Sequence, residues 1–278
     1  MASMKCNKKG AEALEVAVRQ LKTRGRWSDK KWRSLGSAAL VMMILLTAGC
    51  MQDPQEKIDR IYSAKAEPSE ENLTRIRAYL EDPDRDVRAT AINALVTLDV
   101  PDAAALARRA LDDPDGFVRS RGAILLGAVG SEEDVPLLVS HLLNDLDPIV
   151  RQNAASSLAQ LGGQEATLGL IKGLSDPMEE VRLAAVRGVR SLEPGLATAE
   201  LSRLLLEDTV WEIRVQAARA LGATGDPSVL PVLENALGDA NEFVRAAASH
   251  AMEVHRALSA DDRDAAARLE SSAGDGEW

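Results

Sequence analysis

The side chains able to do chemistry are few in this 278-residue chain, and most are spaced wrongly for it. Its thiols are Cys6 and Cys50. Two lone cysteines give neither a disulfide framework nor a metal cluster, so the position of Cys50 at the end of an apolar run matters more than any pairing. Of the imidazoles His141, His250 and His255, the last two are five residues apart and cannot share a helix face as a zinc-binding i, i+4 pair would. The sequence holds no His-Glu pair, Cys–His couple, glycine-rich phosphate loop or nucleophile elbow. Carboxylates are plentiful, but they cluster in turns, where they cap helices and keep the surface soluble. An enzyme is not expected, and no metal or cofactor is called for.

The most regular charges belong to a repeat. Val-Arg or Ile-Arg recurs at 87/88, 118/119, 150/151, 181/182, 213/214 and 244/245, in steps of 31 or 32 residues. Five residues before each Val or Ile stands an aspartate: Asp82, Asp113, Asp145, Asp176, Asp208 and Asp239. Four residues after it comes a small residue (Ala91, Gly122, Ala154, Ala185, Ala217, Ala248), and eight after it an apolar one (Leu95, Leu126, Leu158, Val189, Leu221, Met252). A catalytic group does not recur six times, so these charges read as structural.

The elements behind the repeat follow from one unit. Asp113-Pro114 marks a turn, after which Val118, Gly122, Leu125, Leu126 and Val129 share one face of an amphipathic helix that Gly130 stops. Asp134 begins a second helix, with Pro136 in its first turn and Leu137, Leu138, Leu142 and Leu143 apolar. Two such short helices cannot bury their apolar faces alone, so neighbouring pairs must stack. The aromatic content of 3%, with Ala, Leu and Val dominant, suits close-packed helices.

On the paired Asp and Val-Arg positions, residues 70–258 resemble the HEAT repeats, most closely their short branch named after phycobilisome lyases. The resemblance implies an all-α, right-handed α-solenoid of about six two-helix repeats, with the Val-Arg helices lining a concave face. It also implies that Asp82, Asp113, Asp145, Asp176, Asp208 and Asp239 form a ladder with Arg88, Arg119, Arg151, Arg182, Arg214 and Arg245, binding each turn to its neighbour. The missing His-Glu pair sets aside the di-iron hydroxylases that also use such repeats.

The third and sixth residues after each Val or Ile should point into the groove. They are Thr90 and Asn93, Arg121 and Ile124, Asn153 and Ser156, Ala184 and Arg187, Gln216 and Arg219, and Ala247 and His250. This set has three arginines and no acid. It reads either as an ordinary solvated face or as a groove for an extended or acidic protein segment held by bidentate arginines. Trp211, at a turn position, is either an exposed interface anchor or folded onto a neighbouring turn. Phe117, Ile149 and Phe243 immediately precede their Val residues and form an apolar ridge. The candidate partner-binding residues are therefore Arg121, Asn153, Arg187, Trp211, Gln216 and Arg219.

Charge separates the leader from the body. Ten basic and 3 acidic residues precede Cys50, and 23 and 40 follow from there on, giving net charges of +7 and −17. An acidic body repels phosphate backbones, so nucleic acid is not an expected partner. Basic residues up to Arg33 precede the apolar stretch Leu35–Gly49, which is short for a membrane span and fits the core of a secretory signal. Leu46-Thr47-Ala48-Gly49-Cys50 resembles the lipobox of bacterial lipoproteins, with Thr47 at the position that is commonly Leu. That resemblance implies a diacylglycerol on the Cys50 thiol, cleavage before it and acylation of the new amino group, which together make a permanent anchor. The basic region is long for a signal, consistent with translation starting near Val16 or Val18. The alternatives are an uncleaved membrane anchor and a soluble protein.

The expected organisation is a leader (1–49), a lipidated Cys with tether and cap (50–69), the solenoid (70–258), and a polar cap with a disordered tail (259–278). Ile58, Ile61 and Tyr62 supply the apolar stripe of the first cap. The expected function is a non-catalytic scaffold in the cell envelope, lipid-anchored and binding a protein partner. Met51, where Asp would retain a lipoprotein at the inner membrane, points to the periplasmic face of the outer membrane. The rival is a bilin-lyase-like or other enzyme-associated module acting in the cytoplasm, should the leader not be a true signal.

Overall fold

The structure is a computed structural model that describes residues 53–273, with side chains described over 53–258. Thirteen α-helices and four short 3₁₀ turns make up these residues, with no strand among them. Helix α1 spans Pro54–Ala66. Six pairs follow: α2 (Glu70–Arg77) with α3 (Arg85–Thr97), α4 (Ala103–Leu111) with α5 (Gly116–Val129), and α6 (Val135–Asn144) with α7 (Pro148–Leu161). They continue as α8 (Gly163–Gly173) with α9 (Glu179–Ser191), α10 (Thr198–Glu207) with α11 (Trp211–Gly222), and α12 (Leu230–Ala236) with α13 (Glu242–Ala273). The second helices α3, α5, α7, α9, α11 and α13 pack side by side in one row, each also against the first helix of its own pair. This is an all-α solenoid.

The repeat positions explain the packing. Val87, Val118, Val150, Val181, Ile213 and Val244 are all fully buried, and so are the alanines four residues later and the apolar residues eight later, up to Leu221. Met252 departs from the pattern and is only half-buried; among the described residues no further second helix packs on α13. At Gly122 a Cβ would lie 2.8 Å from the Ala110 Cβ and 2.9 Å from the Leu111 backbone nitrogen. Helices α4 and α5 therefore approach too closely for any larger residue. Four of the six second helices begin on side-chain caps: Asp84, Asp115 and Asp147 accept backbone N–H groups of α3, α5 and α7, and Asn241 accepts from Phe243 at the start of α13.

As the sequence leads one to expect, Asp134 is the N-cap of α6, which starts at Val135 with Pro136 in its first turn; a 3₁₀ turn over Glu132–Asp134 with a reciprocal Ser131–Asp134 cap leads into it. Three details differ from the sequence reading. Helix α13 passes Leu258 without interruption, since no Gly or Pro occurs between Glu242 and Ala273, so the segment read as a separate polar cap continues this helix. Ser271–Ala273, read as part of a disordered tail, are its last residues; 274–278 lie outside the described residues. In the first cap, Ile61 is fully buried while Tyr62 is mostly exposed. Cys50 and the whole leader lie outside the described residues. No described helix is long and apolar enough to cross a membrane.

Candidate functional site

Five of the six ladder arginines reach forward to the aspartate of the following unit. Arg88, Arg119, Arg151, Arg182 and Arg214 donate two hydrogen bonds each, from Nε and Nη2, to Asp113, Asp145, Asp176, Asp208 and Asp239. The ten distances run from 2.7 to 3.1 Å. The remaining Nη1 turns back to the main chain, donating to the carbonyl of the aspartate in its own unit, as Arg151 does to Asp145 at 2.9 Å. Each of these aspartates also accepts the backbone N–H two residues on, as Asp145 does from Asp147 at 2.9 Å. One guanidinium thus ties two consecutive turns together with geometry available to Arg and not to Lys.

The rungs are nearly closed to solvent, with Arg151 and Asp176 side chains 11% and 8% exposed. Hydrogen bonding to the paired aspartate raises the pKa of Arg88, Arg119, Arg151 and Arg182. Burial pushes Asp145 up, but bonds from Arg119, the Asp147 N–H and His141 outweigh it and hold the carboxyl at about 2. The ends of the ladder differ: Arg245 donates to the carbonyls of Asp239 and Ala240, and Asp82 accepts the Asp84 N–H. Sequence reading missed a second set of links, from the ends of first helices. Arg77 pairs bidentately with Asp102, and Arg108 with Asp134. Their separations of 25 and 26 residues match those of the ladder, which was the available signal.

The face of the second helices carries different arginines. Arg121 on α5, Arg187 on α9 and Arg219 on α11 make no hydrogen bond or ion pair; Arg121 is half-buried and the other two are exposed. A cavity of about 470 Å³ between α9, α11 and α13 brings together Arg187, Trp211, Gln216 and Arg219, with Phe243 and His250. Arg121 and Asn153 stand on the same row of helices but do not line this cavity. Arg187 also borders a second cavity of about 330 Å³ toward α7, with Gln152, Ser156 and Glu180.

Trp211 folds onto the next unit: its ring stacks on Phe243 with centroids 5.2 Å apart and planes 30° apart, and 37% of the residue remains exposed. The pair forms an apolar wall of the larger cavity. Gln216 turns its Oε1 into a buried position with no hydrogen-bond partner. The expectation of a groove free of carboxylates is corrected here, because Glu212 and Glu180 each line one of the two cavities. They stand one residue before Ile213 and Val181, four before Gln216 and Ala184, so they share the same helix stripe. Among the described residues there is no group of three or more His, Cys, Asp or Glu side chains able to hold a metal ion.

The family described as HEAT repeats matches residues 73–159 and 167–253, and that of the PBS lyase HEAT-like repeat matches 150–176. Among solved structures, YibA of Escherichia coli is similar at 22% identity over 72% of this chain and 76% of its own, with a TM-score of 0.52. A designed armadillo repeat protein in complex with the peptide (KR)4 is 21% identical over 67% of this chain and 100% of its own, with a TM-score of 0.51. The complex of CpcE and CpcF of phycocyanin lyase from Nostoc is 21% identical, covering 75% and 95%, with a TM-score of 0.40. A comparison with curated protein sequences finds no match.

Proposed function

The chain belongs to the HEAT-repeat family, and from that premise we propose that it is a membrane-anchored, non-catalytic scaffold of the cell envelope. Its second-helix face binds an acidic or extended segment of a protein partner. The observation that carries this reading is the division of the arginines. Those of the ladder are consumed in bidentate pairs, whereas Arg121, Arg187 and Arg219 stand without partners on a body whose net charge is −17. Acidic residues outnumber basic ones on this chain, 43 to 33, and the fold still leaves these guanidiniums uncommitted. An unpaired guanidinium fork is suited to a carboxylate from another chain. The designed armadillo protein with its (KR)4 peptide offers the reverse case, a repeat scaffold named with a basic peptide; here the cationic groups are on the scaffold.

The test uses the full chain, extracted from envelope membranes in detergent, with its cross-linked partner identified and its affinity measured. Arg187→Ala with Arg219→Ala should leave the melting temperature unchanged, because neither side chain is buried, and should weaken the partner at least about tenfold, the cost of a charge-assisted bond or more. Wild-type affinity should also fall as salt rises. If that pair of substitutions binds like wild type while Arg203→Ala with Glu207→Ala on α10 abolishes binding, the partner uses the other face and the reading is wrong.

The anchor rests on the lipobox at Cys50 and has its own measurement. Mass spectrometry of the mature chain should find an acylated Cys50 at its N-terminus, and Cys50→Ser should leave the chain unprocessed and without lipid label. A mature chain beginning at any other residue overturns the anchor and returns the cytoplasmic alternative.

A further inference from the structure

We propose that the cavity between α9, α11 and α13 receives the free C-terminus of a polypeptide whose last residue is aromatic or large and aliphatic. This rests on the reading of the second-helix face as a protein-binding surface, and it names the part of the partner that is bound. Three features of the cavity converge. The Trp211–Phe243 stack offers an apolar wall with more than a third of Trp211 and 57% of Phe243 still open. Arg187 and Arg219 border the same space with no partner of their own. Gln216 lines the same space, and its Oε1 is packed out of solvent contact without accepting a hydrogen bond, which inside a protein is an unmet demand for a donor.

An apolar wall, two unpaired guanidiniums and an amide whose oxygen lacks a donor, all on the lining of about 470 Å³, suit a ligand that carries a side chain, a carboxylate and an N–H close together. In a polypeptide the C-terminal residue is where all three radiate from a single Cα. Its side chain would lie against Trp211 and Phe243, its carboxylate between the guanidiniums, and its N–H beside Gln216, whose Oε1 accepts it once that side chain turns toward the cavity. Glu212, the carboxylate on the lining, repels an anion, and the two guanidiniums outnumber it. An internal acidic residue beside an aromatic one supplies the same groups from two residues, so that its backbone must continue out of the cavity at both ends.

Three peptides with an N-terminal fluorophore separate these cases by fluorescence anisotropy on the full chain in detergent. The first is Gly-Ser-Gly-Ser-Gly-Phe with a free carboxylate, the second is its C-terminal amide, and the third is Gly-Ser-Asp-Phe-Gly-Ser amide. The free acid should bind, and the amide should bind at least about tenfold more weakly, since a charge-assisted pair is lost. Trp211→Ala, Arg219→Ala and Gln216→Leu should each weaken the free acid while melting temperatures stay within a few degrees of wild type. Equal binding of acid and amide, or tighter binding of the Asp-Phe peptide, overturns the terminal assignment. Failure of all three peptides overturns it as well. Neither result decides the broader reading, which stands or falls on the envelope partner and the Arg187/Arg219 substitutions.

Discussion

Asp145 shows how much one side chain can hold in this fold. Its carboxylate accepts Arg119 through two bonds of 2.8 Å, the Asp147 N–H at 2.9 Å and His141 Nδ1 at 3.1 Å, and its side chain is 4% exposed. Burial alone would raise its pKa; the donors prevail and hold it at about 2, below the ordinary 3.8. Asp113 is held low in the same way, and Asp239 mainly by its bond from Arg214. A carboxyl whose folded pKa is depressed contributes stability that is complete above its unfolded pKa and is lost as pH falls through the folded one. The Asp145 contribution is therefore present above pH 4 and disappears toward pH 2, and a displacement of this size corresponds to roughly 2 kcal/mol. Asp145→Asn should lower neutral-pH stability by about that much and flatten the decline between pH 4 and 2, as measured by urea unfolding at each pH. Parallel pH profiles for the two proteins would show that this rung carries no linked charge.

At the scale of the helix, the sequence and the structure agree where the physics is periodic and part where it depends on distances between helices. The 31- and 32-residue steps, the buried Val or Ile and the small residue four later are local consequences of an amphipathic helix, and all are visible without coordinates. Which aspartate an arginine meets is not local. Residues 25 or 26 apart come together only because successive turns stack, and the residues alone did not give that pairing; the family resemblance did. The Trp211–Phe243 stack joins rings 32 positions apart, a pairing that likewise depends on how successive turns stack. Glu180 and Glu212 are legible in the sequence: residues four apart share a helix stripe, so the position before each Val or Ile faces the same way as the third after it. The continuation of α13 past Leu258 was also legible, because nothing in that stretch breaks a helix.

The described solenoid behaves as a one-dimensional array, because its helix pairs pack on their neighbours and every rung joins one unit to the next. In such an array a defect weakens the two units it couples, and it costs most where units lie on both sides. Arg151 joins the third pair to the fourth, and its loss would leave Asp176, 8% exposed, with the Met178 N–H but without its guanidinium donor. Arg88 joins the first pair to the second, where one side is the end of the ladder. Hydrogen exchange followed by mass spectrometry on the full chain distinguishes the two variants. Arg88→Ala should deprotect α2–α5 and leave α8–α11 at wild-type rates. Arg151→Ala should deprotect α6–α9 and split unfolding into separable steps on either side of the missing rung, since each remaining stack then opens with its own free energy. If both variants instead raise exchange uniformly from α2 to α13, the molecule opens as one cooperative body and the nearest-neighbour account fails. The location of the defect then matters for function, because the cavity at α9–α13 lies wholly beyond the Arg88 rung and next to the Arg151 one. On the array account, Arg88→Ala should leave ligand binding at that cavity untouched even as it frays the opposite end.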